Sequence, residues 1–320
     1  MNYKPIIIVS GEPNSIFLEI FFKSIKKKFL CPIILIASYK LVVLQMKKLK
    51  YKKKITLLEF DKLSKYKLDN KGINLINVNY KFSNPFESIS TKSNNYIKQC
   101  FAMAFKIINE GISNKLINGP ISKKYFLKKK YLGMTEYIAS KYSINKKAML
   151  IYNKHLSVCP LTTHLPLKLV SQEINQKNII EKIELLNSFY KNNLNIKPKI
   201  GVLGLNPHCE SIDKFNEDEK VIKPVINKMK KSGYEVFGPL SADTVFLKKN
   251  RKKFNVILGM YHDQVLAPIK TLYEYDAINI TLGLPFLRIS PDHGPNERMI
   301  GKNVSNPLSL IQAIKFLEKN

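Results

Sequence analysis

The chain has 320 residues, 45% of them hydrophobic, and a formal charge of +29 at pH 7. That length and apolar content suffice for one large core or two lobes and exclude a disordered tail. No apolar run approaches the roughly 20 residues of a membrane-spanning helix. The N-terminus passes from Met1-Asn2-Tyr3-Lys4-Pro5 directly into a strand-like run without a signal-peptide layout, so a cytoplasmic protein with no membrane partner is expected.

In chain order, Pro5 to Val9, Pro32 to Ala37, Lys54 to Phe60 and Ile73 to Val78 read as strands, while Ser15 to Lys28 and Asn94 to Glu110 carry helical spacing. Ala148 to Thr163 reads as paired strands, Pro166 to Tyr190 as a helix, Lys199 to Leu205 as a strand, Glu217 to Lys231 as a helix and Val256 to Met260 as a strand. Ala277 to Leu282 is expected as a further strand, Ser290-Pro291-Asp292-His293-Gly294 as a polar turn and Pro307 to Glu318 as the last helix. Strands alternating with helices predict an α/β fold.

Lysine supplies nearly all the positive charge, in the company of abundant asparagine and isoleucine, a pattern expected of an AT-rich genome. The runs Lys26-Lys27-Lys28, Lys52-Lys53-Lys54 and Lys128-Lys129-Lys130 fall in different regions among Tyr, Phe and Leu. They read as solvated helix faces and loops rather than a nucleic-acid groove. A general positive potential still draws in anionic substrates and dinucleotides. Cys31, Cys100, Cys159 and Cys209 lie singly in different segments, which predicts reduced thiols rather than a disulfide framework.

Three of the five histidines stand in short, turn-like motifs: Thr162-Thr163-His164-Leu165-Pro166, Asn206-Pro207-His208 and Met260-Tyr261-His262-Asp263-Gln264. Each follows a strand-like segment, where open α/β sheets place their ligand sites. Three neutral imidazoles brought together by folding would hold a divalent ion and leave positions open for a substrate oxygen. The alternative is three unrelated loop histidines, because the spacing is too wide for a local ligand pattern. Cys209, beside His208, is either a fourth ligand or a packed bystander.

Longer motifs recur in one order along the chain: Gly11-Glu12-Pro13, Asn118-Gly119-Pro120-Ile121-Ser122-Lys123, Thr162-Thr163-His164-Leu165-Pro166-Leu167, Gly204-Leu205-Asn206-Pro207-His208, Gly238-Pro239-Leu240-Ser241-Ala242-Asp243-Thr244, Tyr261-His262-Asp263-Gln264 and Asn279-Ile280-Thr281-Leu282-Gly283-Leu284-Pro285-Phe286. Together they resemble the 4-hydroxythreonine-4-phosphate dehydrogenase family over essentially the whole chain. The resemblance implies an isocitrate/isopropylmalate-dehydrogenase-like α/β fold with two lobes around a cleft. The outer lobe would be residues 1–125 plus 275–320 on the cofactor side, and the central lobe residues 126–274 with the metal ligands and dimer contacts. It also implies a homodimer acting in vitamin B6 biosynthesis, by NAD- or NADP-linked oxidation and decarboxylation of a small phosphorylated hydroxy amino acid.

By the same resemblance the metal ligands fall on His164, His208 and His262, for zinc, magnesium or cobalt. Substrate contacts fall on Thr135, Lys270, Asn279 and Arg288, with Asp243 in the site. Lys270 and Arg288 suit phosphate or carboxylate, and Thr135 and Asn279 offer neutral hydrogen bonds. Lys270 and Asp243 are the candidates for taking the hydroxyl proton, and Asp263 could orient an imidazole. No Gly-x-Gly-x-x-Gly follows the first strand; Asp292-His293-Gly294, with Gly301-Lys302, looks like the family's adenosine loop.

Three departures stand out. Met134 replaces the family's histidine before Thr135, and a thioether cannot donate a hydrogen bond to phosphate. Asn14-Ser15-Ile16-Phe17-Leu18 replaces Ala-Gly-Ile-Gly-Pro, losing two glycines and their conformational freedom. Cys209-Glu210 replaces Ala-Gly after His208. The alternatives are therefore a dehydrogenase of another phosphorylated hydroxy acid, such as 4-phosphothreonate, and a drifted non-catalytic ligand-binding paralogue.

Overall fold

The computed structural model describes residues 3–127, 130–212 and 215–320. Met1 and Asn2, and Lys128 and Lys129 of the third lysine run, lie outside the described residues. In chain order the strands and longer helices begin with β1 Ile6–Val9, α1 Phe17–Ser24, β2 Ile33–Ala37, α2 Tyr39–Lys48, β3 Ile55–Leu57, β4 Ile73–Asn77, α3 Asn94–Asn109, β5 Lys115–Asn118 and α4 Met134–Lys141. They continue with β6 Ala148–Tyr152, β7 Ser157–Pro160, α5 Gln176–Leu194, β8 Ile200–Leu203, α6 Lys223–Lys231, β9 Val236–Leu240, β10 Val256–Gly259, α7 His262–Tyr273, β11 Ile278–Leu282, β12 Leu287–Pro291 and α8 Leu308–Lys319. The chain divides into two compact units, residues 1–137 with 285–320 and residues 138–284.

In the first unit the strands run in the order β3-β4-β2-β1-β5-β12, and every pairing is parallel. Parallel strands covered on both faces read as unbroken apolar runs. Ile6, Ile7, Ile8 and Val9 of β1 are accordingly all fully buried. Helix α3 packs on β1 and β2, α8 packs on β5 and β12, and α1 joins α2 to α8.

In the second unit the order is β11-β6-β7-β10-β8-β9. Strand β6 runs antiparallel to β11 and β7, while β7, β10, β8 and β9 are mutually parallel neighbours. The core joins Ile151, Val158, Leu203 and Ile257 of the sheet to Val265 and Ile269 of α7. Among the described residues no helix is long and apolar enough to cross a membrane.

The sheet changes three expectations. Ala277 to Leu282, expected in the outer lobe, forms β11, which pairs with β6 from Ile278↔Tyr152 to Leu282↔Ala148 and so belongs to the second unit. Ser290 and Pro291 are not in a turn: they end β12, which is aligned on β5 by Arg288↔Leu116 and Ile289↔Ile117. The helix expected over Pro166 to Tyr190 is broken, because the Asn175 side chain accepts a hydrogen bond from the Asn178 N–H at 2.9 Å and starts α5 afresh.

Candidate active site

Because β7, β10, β8 and β9 are parallel neighbours, the loops leaving their C-terminal ends gather on one edge of the second unit's sheet. His164 follows β7, His262 opens α7 just past β10, His208 lies in a short turn after β8, and Asp243 follows β9. Two glycines permit these turns. A Cβ on Gly259 would sit 2.4 Å from Val265 Cγ1, so a side chain there would push α7 off the strand end. One on Gly204 would sit 2.5 Å from Asp218 Oδ1 and 2.6 Å from Cys209 Sγ.

The rings of His164 and His262 lie 5.8 Å apart between centroids, tilted by 39°. His262 Nδ1 donates to Asp263 Oδ1 at 2.6 Å, which leaves its Nε2 lone pair for a ligand. His208 is set apart with Asp243, its Nδ1 3.9 Å from Asp243 Oδ2. The Ser241 hydroxyl, which donates to Asp243 Oδ1 at 2.5 Å, and the neighbouring His208 hold this carboxyl below its usual range. Among the described residues no three His, Cys, Asp or Glu side chains are drawn together as a ligating group. The structure therefore brings two of the three histidines together and leaves His208 on the adjoining loop.

That loop is held by a residue the sequence reading passed over. Asp218, fully buried, accepts hydrogen bonds from Leu205 N at 2.8 Å and from the backbone and side-chain nitrogens of Asn206 at 3.1 and 2.9 Å. The only signal for it was an acidic residue opening a helical stretch. His208 and Cys209 adopt left-handed φ values of 55° and 64°, a conformation costing roughly 1–2 kcal/mol for each non-glycine residue. Cys209 is tucked against Gly204, and burial raises its thiol pKa, with Asp218 adding to the rise.

Lys270 lies on α7 and Asn279 on β11, paired across from Ile151. Asn279 Oδ1 is buried without a hydrogen-bond partner, so it can accept from a ligand.

The remaining expected residues belong to the first unit. Met134 and Thr135 open α4, both half-buried. Arg288 is only 2% exposed and donates from Nε to Asn118 Oδ1 at 2.7 Å. Burial lowers its pKa to about 10, with Glu136 acting in the opposite direction. Asp292 N donates to the Ser309 hydroxyl at 2.8 Å and Ile16 N to Pro295 O at 3.1 Å, fixing the two ends of the Asp292-His293-Gly294 loop. Open space faces Gly294. Glu12, 1% exposed, accepts from Ser93 Oγ at 2.9 Å, and burial raises its pKa to about 7.

The sequence profile of the family "Pyridoxal phosphate biosynthetic protein PdxA" matches residues 29–317. The chain belongs to this family. A 4-hydroxythreonine-4-phosphate dehydrogenase of Sulfurihydrogenibium sp. is 40% identical over 250 residues, covering 77% of this chain and 76% of the relative. A relative from Oceanobacillus iheyensis, provisionally named as a D-threonate 4-phosphate dehydrogenase, is 34% identical over 233 residues, covering 72% of this chain and 70% of its own. The crystal structure of 4-hydroxythreonine-4-phosphate dehydrogenase from Klebsiella pneumoniae superposes with a TM-score of 0.82 at 26% identity, covering 98% of both chains. The chain is thus a PdxA-family oxidoreductase.

Within this PdxA-family chain, the altered first motif is accommodated by packing. Phe17 is fully buried, and its ring atoms Cγ and Cδ2 would lie 2.8 and 2.9 Å from a Cβ on Gly119. Ser15 donates to Glu12 O at 2.7 Å and accepts from Phe17 N at 3.2 Å, closing the turn that starts α1. Neither residue has positive φ, so the lost glycines demand no left-handed backbone here.

Proposed function

We propose that this chain oxidises 4-hydroxythreonine 4-phosphate with NAD or NADP and promotes loss of carbon dioxide from the product, using a divalent ion held by His164, His208 and His262. The observation that carries this reading is that the loops bearing the three histidines and Asp243 leave the same edge of one sheet in a PdxA-family chain, with His164 and His262 already side by side. The pairing of His164 with His262, and the Asp263 bond at Nδ1 that leaves the Nε2 lone pair for a ligand, suit an imidazole-bound ion. Nitrogen donors favour zinc or cobalt over magnesium, which prefers oxygen. When bound, the ion supplies Lewis acidity to the substrate hydroxyl and the nicotinamide supplies the hydride acceptor.

The chain's own groups bind, orient and move the proton. Asn279 Oδ1, buried and open to a donor, suits the substrate's ammonium or hydroxyl group. Lys270, Arg288, Thr135 and Met134 are assigned to the substrate, the first three to its anionic ends. Lys270 or Asp243 takes the hydroxyl proton. The ketone so formed lies β to the carboxylate, which makes release of carbon dioxide favourable. Asp292, His293 and Gly294 are assigned to the cofactor, with the open side of Gly294 leaving room for it. A cytoplasmic homodimer completes the reading, and free cysteines are consistent with a reducing compartment.

Purified protein would be stripped with a chelator and assayed for nicotinamide reduction with each metal in turn. The expected result is turnover restored by zinc or cobalt, with carbon dioxide released in step. No turnover under any metal would overturn the reading. The Oceanobacillus relative favours one other substrate, D-threonate 4-phosphate. A higher kcat/KM for that acid in the same assay would reassign the substrate and keep the site.

A further inference from the structure

The three histidine loops are joined by hydrogen bonds around one residue, Met260. Met260, fully buried at the end of β10, offers its carbonyl to Thr162 Oγ1 at 2.8 Å and to Thr162 N at 3.3 Å. Thr162 is two residues before His164. The N–H of Met260 donates to Gln264 Oε1 at 2.7 Å, and Gln264 Nε2 donates to Gly204 O at 2.8 Å. Gly204 begins the loop that carries His208. A single amide side chain therefore connects the β10 end to the β8 end, accepting on one side and donating on the other.

We infer that Gln264 is a positioning residue that clamps the His208 loop to the His262 turn and so sets the spacing of the metal-binding imidazoles. This inference rests on the reading of the three histidines as ligands. Glutamine suits the place because both halves of its amide are used. Glutamate keeps the acceptor for Met260 N but turns a second oxygen toward Gly204 O, where two acceptors repel. Methionine keeps the length and loses both bonds. Asparagine is one methylene too short to span the same two groups. Asp218 holds Leu205 and Asn206, the two residues after Gly204 in the same loop, so loss of Gln264 loosens the loop where it leaves β8 without unfolding it.

The test is cobalt(II) binding to the full chain, followed by competition with a chelator and by the visible absorption of the bound ion. Five proteins are compared: the parent, Gln264→Met, Gln264→Glu, His208→Ala and the double variant Gln264→Met/His208→Ala. Gln264→Met is expected to weaken Co2+ about 10- to 100-fold, as loss of partners that orient metal ligands does. Its spectrum should shift toward that of His208→Ala, because both lose the same imidazole. Adding Gln264→Met to His208→Ala should change affinity less than threefold, since the clamp acts through the loop already emptied of its ligand. Gln264→Glu should resemble Gln264→Met in affinity and spectrum, and with chelator present Gln264→Met should still unfold on heating in one cooperative transition, at a lower midpoint because the Met260 N–H loses its acceptor. Parent-like affinity and spectrum in Gln264→Met, with His208→Ala weakened, would overturn the clamp alone. Parent protein that binds no Co2+, or His208→Ala that binds like the parent, would overturn the ligand reading and the clamp with it.

Discussion

The buried carboxylate of Asp218 accepts hydrogen bonds from both the backbone N–H and the side-chain amide of Asn206, two residues before His208. A third bond comes from Leu205 N. Asp218→Ala would leave these donors without their acceptor and should cost roughly 3 kcal/mol, a typical penalty for unsatisfied buried groups. Urea unfolding measures that loss, and cobalt titration of the folded variant should show weaker binding. A stability within 0.5 kcal/mol of the parent, by rough mutational standards, would mean water replaces the carboxylate.

Glu12 should make stability depend on pH. Its carboxyl titrates near pH 7 in the folded chain, against 4.5 when unperturbed, because burial penalises the charged form and Glu297 adds repulsion. The folded state therefore holds the proton more tightly. Stability from this group is complete below about pH 4.5 and is lost as pH rises through about 7. Glu12→Gln keeps an acceptor for Ser93 and removes the charge, so at pH 8 it should be more stable than the parent by up to about 3 kcal/mol. At pH 4 the two should unfold alike. Equal stabilities at both pH values would show that Glu12 is solvated.

Arg288 is expected to matter for folding as well as for substrate. Arg288→Lys removes the Nε donor to Asn118 Oδ1 in a fully buried setting. A loss of about 1–3 kcal/mol in urea unfolding is expected, together with a raised KM for the phosphorylated substrate. An unchanged KM in the folded variant would remove Arg288 from the substrate's contacts and leave it a packing role.

Met134→His restores a donor beside Thr135 at the start of α4. If that donor meets phosphate, kcat/KM should rise by about 1–3 kcal/mol of transition-state stabilisation, or roughly 5- to 150-fold. A slower enzyme would show that the thioether is an adapted feature and that another group holds the phosphate.

Much of the fold could be read in the residues because parallel strands announce themselves. Ile6-Ile7-Ile8-Val9 is apolar throughout, and its burial follows from cover on both faces. Strand β9 gave no such signal: Gly238-Pro239 interrupts its pattern, and only pairing with β8 makes it a strand. Helix α7 was missed because Pro268 lies within it. At the site, the histidine motifs and their places after strands were legible. The bonds from Asp218 and Gln264 were not, since they join positions far apart in the chain and depend on which strands become neighbours.

The order of the second unit's strands bears on how the site comes into being. Strand β10 lies between β7 and β8, yet it is the last of the three to be synthesised. On the ribosome, the loops bearing His164 and His208 emerge before the strand that must separate them exists. No nascent fragment ending before His262 can present all three imidazoles, so on the proposed reading ion capture would begin only after β10 has slotted in. Cobalt uptake by a series of progressively longer chains would therefore time the closure of this sheet.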